Sequence, residues 1–203
     1  MKTVETDPWA IEATDYPADG TLGQQWEFLL QYAVLAPSSH NTQPWLFRMR
    51  QTVLELYADR QRSCPVVDPD DRELIMSCGC ALFHLRCAMR HFGCLGQVEI
   101  FPEPQPDLVA RVHRGATGET DPAQAESFEA ILQRRTNRQL YSDDPLPVDL
   151  VPALQGAAEA EGVWMKVIGE ETERLELAAL ISEGDRRQWA NAQFRKELSQ
   201  WVD

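Results

Sequence analysis

Apolar positions Trp26, Leu29, Leu30, Ala33 and Val34 recur at the spacing of one helix face, which predicts a helix over residues 22–35. Trp45, Phe47 and Met49 then alternate with their neighbours, as do the residues of V-L-E-L-Y-A at 53–58. Period two predicts a β-hairpin joined at Gln51-Thr52, although Gln-Thr is not a favoured turn pair. From Leu74 to Phe92 apolar residues cover most of the circumference, the signature of a buried helix. Asp68 as N-cap, Pro69 at the first helical position and Asp70 and Asp71 at the positive end mark its start. Gly93 marks its stop, and this is the expected core helix.

Two further strands are predicted at 97–101 and 108–112, separated by a loop holding Pro102, Pro104 and Pro106. Residues 113–121, rich in Gly, Thr and Asp, mark a boundary. A helix is expected from Asp121-Pro122 through Phe128, Ile131 and Leu132, ending in R-R-T-N-R at 134–138. Beyond it the pattern predicts a helix over 148–161 stopped by Gly162, a strand over 163–168, and helix over 170–202 broken at 182–185. Residues 1–21, acidic and irregular around Pro8, Pro17 and Gly20, predict an extended arm free to lie on a partner. The fold class is therefore α+β, a mostly antiparallel sheet flanked by helices. Its parts are an arm (1–21), a first half (22–120) and the start of a second half (121–203), expected to be incomplete because the helical pattern still runs at Trp201.

Composition narrows the partners. With 203 residues, 43% hydrophobic and 25% charged, the chain is of ordinary soluble globular type. No apolar run nears the roughly 20 residues that span a bilayer, and the first residues lack a signal peptide's apolar core, so a cytoplasmic protein is expected. A net charge of −13 argues against nucleic acid and anionic membranes. The five cysteines are odd in number and crowded, which fits a reducing compartment. Cys80, His84, Cys87 and His91 share one helical stripe and could bind zinc. A tetrahedral site rarely draws four ligands from three turns of one helix, so the stripe reads as core and no metal is expected.

Two stretches carry candidate chemistry. In A-P-S-S-H-N-T-Q-P-W (36–45), Pro37 and Pro44 stop the helix and stiffen the loop. Between them Ser38, Ser39, Asn41 and Gln43 offer neutral donors and acceptors, suited to an uncharged heterocycle. The same residues also make ordinary turns. In R-R-T-N-R, Arg134, Arg135 and Arg138 flank Thr136 and Asn137, and guanidinium groups grip phosphate bidentately. A basic cluster at a helix C-terminus is also favoured by the helix dipole alone. Together the two stretches suit a nucleotide, in a chain with neither G-x-G-x-x-G nor a P-loop.

The first stretch resembles the flavin-binding loop of the FMN-dependent nitroreductase superfamily, and the second resembles that superfamily's Arg-Arg-Ser-x-Arg motif. Residues 72–93 resemble the core helix of its twin-type, dormancy-associated Acg-like branch, in which two nitroreductase halves are fused. The likeness extends over nearly all of 22–203. It implies a tandem pseudo-repeat, here C-terminally truncated, with Pro37, Ser38, Ser39, Asn41 and Gln43 on the isoalloxazine and ribityl groups. Arg134, Arg135, Thr136 and Arg138 would meet the phosphate and the pyrimidine edge, stabilising the reduced flavin's charge. It further implies NAD(P)H as co-substrate, a small electrophile such as a nitroaromatic or quinone, and a homodimer. The alternative it leaves is a relative without catalysis that binds or sequesters flavin, or a flavin-free stress-associated one. No arginine precedes Arg48 and no second such loop occurs, so at most one of two pseudo-equivalent pockets can be complete. No catalytic acid or base is assigned; His40 reads as an exposed loop histidine.

Overall fold

The structure, a computed structural model, describes residues 7–116 and 125–202. The expected helix start at Asp121-Pro122 lies outside the described residues. The chain divides into two compact units, one of Met1–Thr136 with Lys196–Asp203 and one of Asn137–Arg195.

In the first unit, α1 (Leu22–Ala33) opens with a capping box. Thr21 Oγ1 accepts from the Gln24 amide, and Gln24 Oε1 accepts from the Thr21 amide at 2.8 Å. Residues 7–21 pack on this chain's own core rather than standing free. Gln25 Nε2 donates to the carbonyls of Pro17 and Ala18, Ile11 is buried, and Tyr16 stacks on Phe92 at 4.2 Å.

Strands β1 (Trp45–Arg50), β2 (Val53–Ala58), β3 (Leu95–Ile100) and β4 (Leu108–Arg114) form one antiparallel sheet in the order β1-β2-β4-β3. The α+β class and the hairpin are as the periodicity requires. β3 begins at Leu95, earlier than the pattern suggests, because Gly96 gives no side-chain signal. A Cβ at Gly96 would lie 2.7 Å from the His113 carbonyl oxygen, so the strand joins the sheet there only as glycine.

One face of the sheet, including Trp45, Leu54, Leu56, Ala58, Ala110 and Val112, packs with α1 and α2 (Arg72–His91) into the core. α3 (Ala125–Gln133) adds Phe128 and Ile131. Across the other face runs a row of alternating charge, Arg48, Glu55, Arg111 and Glu99, in register on the four strands. Glu55 is buried, accepting from Arg111 Nε at 3.1 Å and from the Tyr57 hydroxyl at 2.9 Å. Burial pushes its carboxyl upward. The bonds from Tyr57 and Arg111, with the charges of Arg111 and Arg50, outweigh that and hold it below the usual carboxylate range.

α2 starts later than expected. Asp68 is not its N-cap and Pro69 is not its first residue; the N-cap is Asp71, in the left-handed region at φ 53°. Asp68 still neutralises the helix start from outside. Its two oxygens accept from the Arg72 amide at 2.8 Å and the Leu74 amide at 2.9 Å. At the other end Gly93 takes φ 63° and terminates the helix as expected. The last residues of this unit return to the early chain: Glu197 accepts from the amides of Val66 and Val67 at 2.9 and 3.1 Å.

The second unit holds α4 (Leu150–Ala160) and α5 (Glu171–Ala190), neither of which contains a buried residue. α6 (Ala192–Leu198) follows, its last three residues belonging to the first unit. Residues 163–168 form no strand, because alternation needs a neighbouring ladder to become one and the described residues supply none. α5 is also unbroken at 182–185. Glu183 pairs with Arg186 and, at 2.7 Å, with Arg187, bridging Gly184, and the helix breaks instead at Asn191.

Candidate functional site

Pro37 ends the helical run, and a single 3-10 turn follows at Ser39–Asn41. Three residues of the loop sit in the left-handed region, His40 at φ 51°, Asn41 at 57° and Gln43 at 49°. Asparagine and histidine tolerate that region better than most residues. Such a concentration persists only where the surroundings fix it, and here they do. Ser38 Oγ accepts from the Gln43 amide at 2.9 Å, Arg62 Nη1 donates to the Thr42 carbonyl at 2.8 Å, and Cys78 Sγ donates to the Pro44 carbonyl at 3.1 Å. Asn41 is left exposed at the surface of a braced loop.

The loop meets the first turns of α2. Ser39 Oγ donates to Glu73 Oε2 at 2.6 Å, and Ser77 Oγ accepts from the Ser39 amide at 3.4 Å while donating to the Glu73 carbonyl at 2.8 Å. Between loop and helix lies an open cleft of about 310 Å³, lined by Pro37, Ser38, Ser39, Glu73, Met76, Ser77 and Cys80. Glu73 and Ser77 escaped the sequence reading, and Cys80 entered it only through the cysteine–histidine stripe. Their signal was the one-face spacing of positions 73, 77 and 80.

The arginines part company. Arg134 turns to the loop's root, where Nη2 donates to the Leu35 carbonyl at 3.2 Å while its buried Nε has no hydrogen-bond partner. Its charge reaches two groups of α2. Burial raises the Cys80 thiol above its ordinary value, with Arg134 opposing. Burial also lowers His84, with Arg134 adding to that and the Tyr32 carbonyl opposing it. Arg135 instead lies over the Trp9 ring at 4.2 Å and donates to the carbonyls of Leu132 and Arg134. Thr136 is exposed at the end of the first unit, and Arg138 is exposed in the second.

Of the expected set, the first unit therefore gathers Pro37, Ser38, Ser39, Asn41, Gln43 and Arg134, and sends Arg135 elsewhere. These residues fit an uncharged heterocycle with one guanidinium beside it, whose buried Nε has no hydrogen-bond partner among the described residues. At the start of α2 the Arg72 and Leu74 amides are already taken by Asp68. The cysteine–histidine stripe is spent separately: His84 Nδ1 sits 3.2 Å from the Tyr32 carbonyl, Cys87 is buried and His91 stacks on Phe128 at 3.7 Å. Among the described residues no group of three His, Cys, Asp or Glu is placed to hold a metal, and no helix is long and apolar enough to cross a membrane.

No protein-family profile matches the chain. Three proteins of Mycobacterium tuberculosis are similar to it. "Putative NAD(P)H nitroreductase Rv3131" is 33% identical over 177 residues, covering 85% of this chain and 49% of that protein. "Uncharacterized protein Rv3127" is 35% identical over 185 residues, covering 86% and 53%. "Putative NAD(P)H nitroreductase acg" is 32% identical over 175 residues, covering 85% and 52%. The chain spans about half the length of the curated relatives it matches.

Proposed function

The chain belongs to the Acg-like branch of the nitroreductase superfamily, and on that footing we propose that it is part of an FMN-dependent NAD(P)H oxidoreductase of small electrophiles such as nitroaromatics or quinones. The observation that carries this reading is the braced loop, whose neutral groups stand at fixed positions beside the Arg134 guanidinium.

FMN, when bound, supplies two-electron transfer between the nicotinamide and the electrophile. Ser38, Ser39, Asn41 and Gln43 orient the heterocycle, and Pro37 and Pro44 hold the loop's shape so that little entropy is lost on binding. Arg134 places a fixed positive charge where negative charge develops, a preorganised electrostatic role. Arg135 and Thr136 complete the phosphate clamp if Arg135 leaves Trp9.

That condition favours a second reading, a nitroreductase-like protein without catalysis that binds or sequesters flavin, or a flavin-free stress-associated relative. The tandem halves, a cytoplasmic site and pairing of two copies belong to the same proposal, the pairing because α5 exposes Leu175, Leu180, Ile181 and Trp189. Light scattering that finds only monomer at assay concentration removes the dimer.

The test is the visible absorbance spectrum of the purified protein, before and after adding FMN and desalting. Retained flavin bands that weaken in Asn41→Ala and in Arg134→Ala are expected. NAD(P)H oxidation then separates the two readings, and a chain that retains no flavin overturns the first and leaves the flavin-free form of the second.

A further inference from the structure

The cleft between the loop and α2 carries one full charge, and that charge is negative. Its wall is otherwise apolar or neutral, from Pro37, Met76, Cys80 and the serines. Glu73 is half-buried there, accepts from Ser39 Oγ through Oε2, and forms no ion pair among the described residues. Among the described residues no cation pairs with it. At the helix start, which would favour an anion, the Arg72 and Leu74 amides are taken by Asp68. Arg60 is committed to Asp71 and Asp107. Arg134, whose charge reaches Cys80, is held to the Leu35 carbonyl and does not line the cleft. A second hollow of about 280 Å³ shares Glu73 and Met76 and adds Asp68 and Asp70, with Arg72 its one cation.

We infer that this cleft selects its ligand by charge, taking a small flat organic cation with an apolar body and rejecting anions of the same shape. The apolar body lies on Pro37, Met76 and Cys80, and the positive group meets the Glu73 carboxylate. A carboxylate in a partly desolvated cleft interacts far more strongly with a ligand charge than one in open water. Ser39 fixes the carboxylate through its hydrogen bond, so the loop that would orient the heterocycle also sets this charge. As an assignment of the electrophile, this rests on the oxidoreductase reading; as a binding preference, it needs neither flavin nor turnover.

The test is isothermal titration of the full chain with three probes of one shape, para-nitrobenzamidinium, para-nitrobenzamide and para-nitrobenzoate. The cation is expected to bind at least about tenfold more tightly than the anion at low salt, with the amide between. Raising ionic strength should weaken the cation and leave the amide unchanged. Glu73→Gln keeps an acceptor for Ser39 and removes one charge of a net −13, so collapse of the preference in that variant locates it in the cleft. Equal affinity for cation and anion overturns the inference, and so does a preference that survives Glu73→Gln. The titration contains no flavin or nicotinamide. Failure to retain FMN therefore sinks the oxidoreductase reading alone, and a flat probe series sinks this one alone.

Discussion

The two units use apolar residues in opposite ways. In the first, Trp26, Leu29, Tyr32, Leu85 and Met89 are almost wholly buried, each between a helix and a neighbour that the same unit supplies. In the second, Trp164, Leu175, Leu180 and Trp189 are more than half exposed. Amphipathic pattern states what an element wants to bury, and only a partner decides whether it does.

The sharpest way to break this comparison is to truncate one side chain in each unit. Leu85→Ala should destabilise by about 2–5 kcal/mol in chemical denaturation, because it opens a cavity in a closed core. Leu180→Ala should change stability by less than about 0.5 kcal/mol. A large loss at Leu180 would mean that its face is covered in solution. Next in size is Asp68→Ala, which strips acceptors from two amides at the start of α2 and should cost about 1–2 kcal/mol. If Asp68 were merely a turn residue, denaturation midpoints would not move.

Glu55 gives a smaller, pH-dependent effect. Its folded pKa lies below the unfolded value, so its contribution is present above that unfolded value and is lost as pH falls through the folded one. Stability measured from neutral pH down through the acid range should fall less steeply in Glu55→Gln, with an offset of about 1–2 kcal/mol at neutral pH. His84 acts in the same direction at milder pH. Its depressed pKa means that the fold favours the neutral ring, so stability declines as pH drops below the ordinary histidine value. The smallest expected effect is in α5, where Glu183→Ala should cost about 0.3–0.5 kcal/mol per pair lost, read as reduced helicity.

Much of the first unit was legible because its elements follow period and punctuation: the hairpin, α1, and α2 with its stop at Gly93. The start of α2 was misplaced because an aspartate can serve a helix from three residues outside it, and sequence does not show which amides a side chain reaches. Gly96 hid the start of β3 because close approach needs the absence of a side chain, which no hydrophobic pattern records. The strand expected at 163–168 failed for the reason the comparison gives, that it has no ladder to join. At the site, the loop residues and Arg134 were readable from composition. Glu73 and Ser77 were not, and Cys80 was noted only for its stripe, because all three stand on a helix that looks like core, and only the fold shows which turn of it faces the loop.

Glu197 closes on the amides of Val66 and Val67 from far along the chain, so the first unit is entered, left and entered again. The second unit is therefore a long excursion whose two ends are both fastened to one body. A ribosome must finish residues 137–195 before the clasp on Val66 and Val67 can be made.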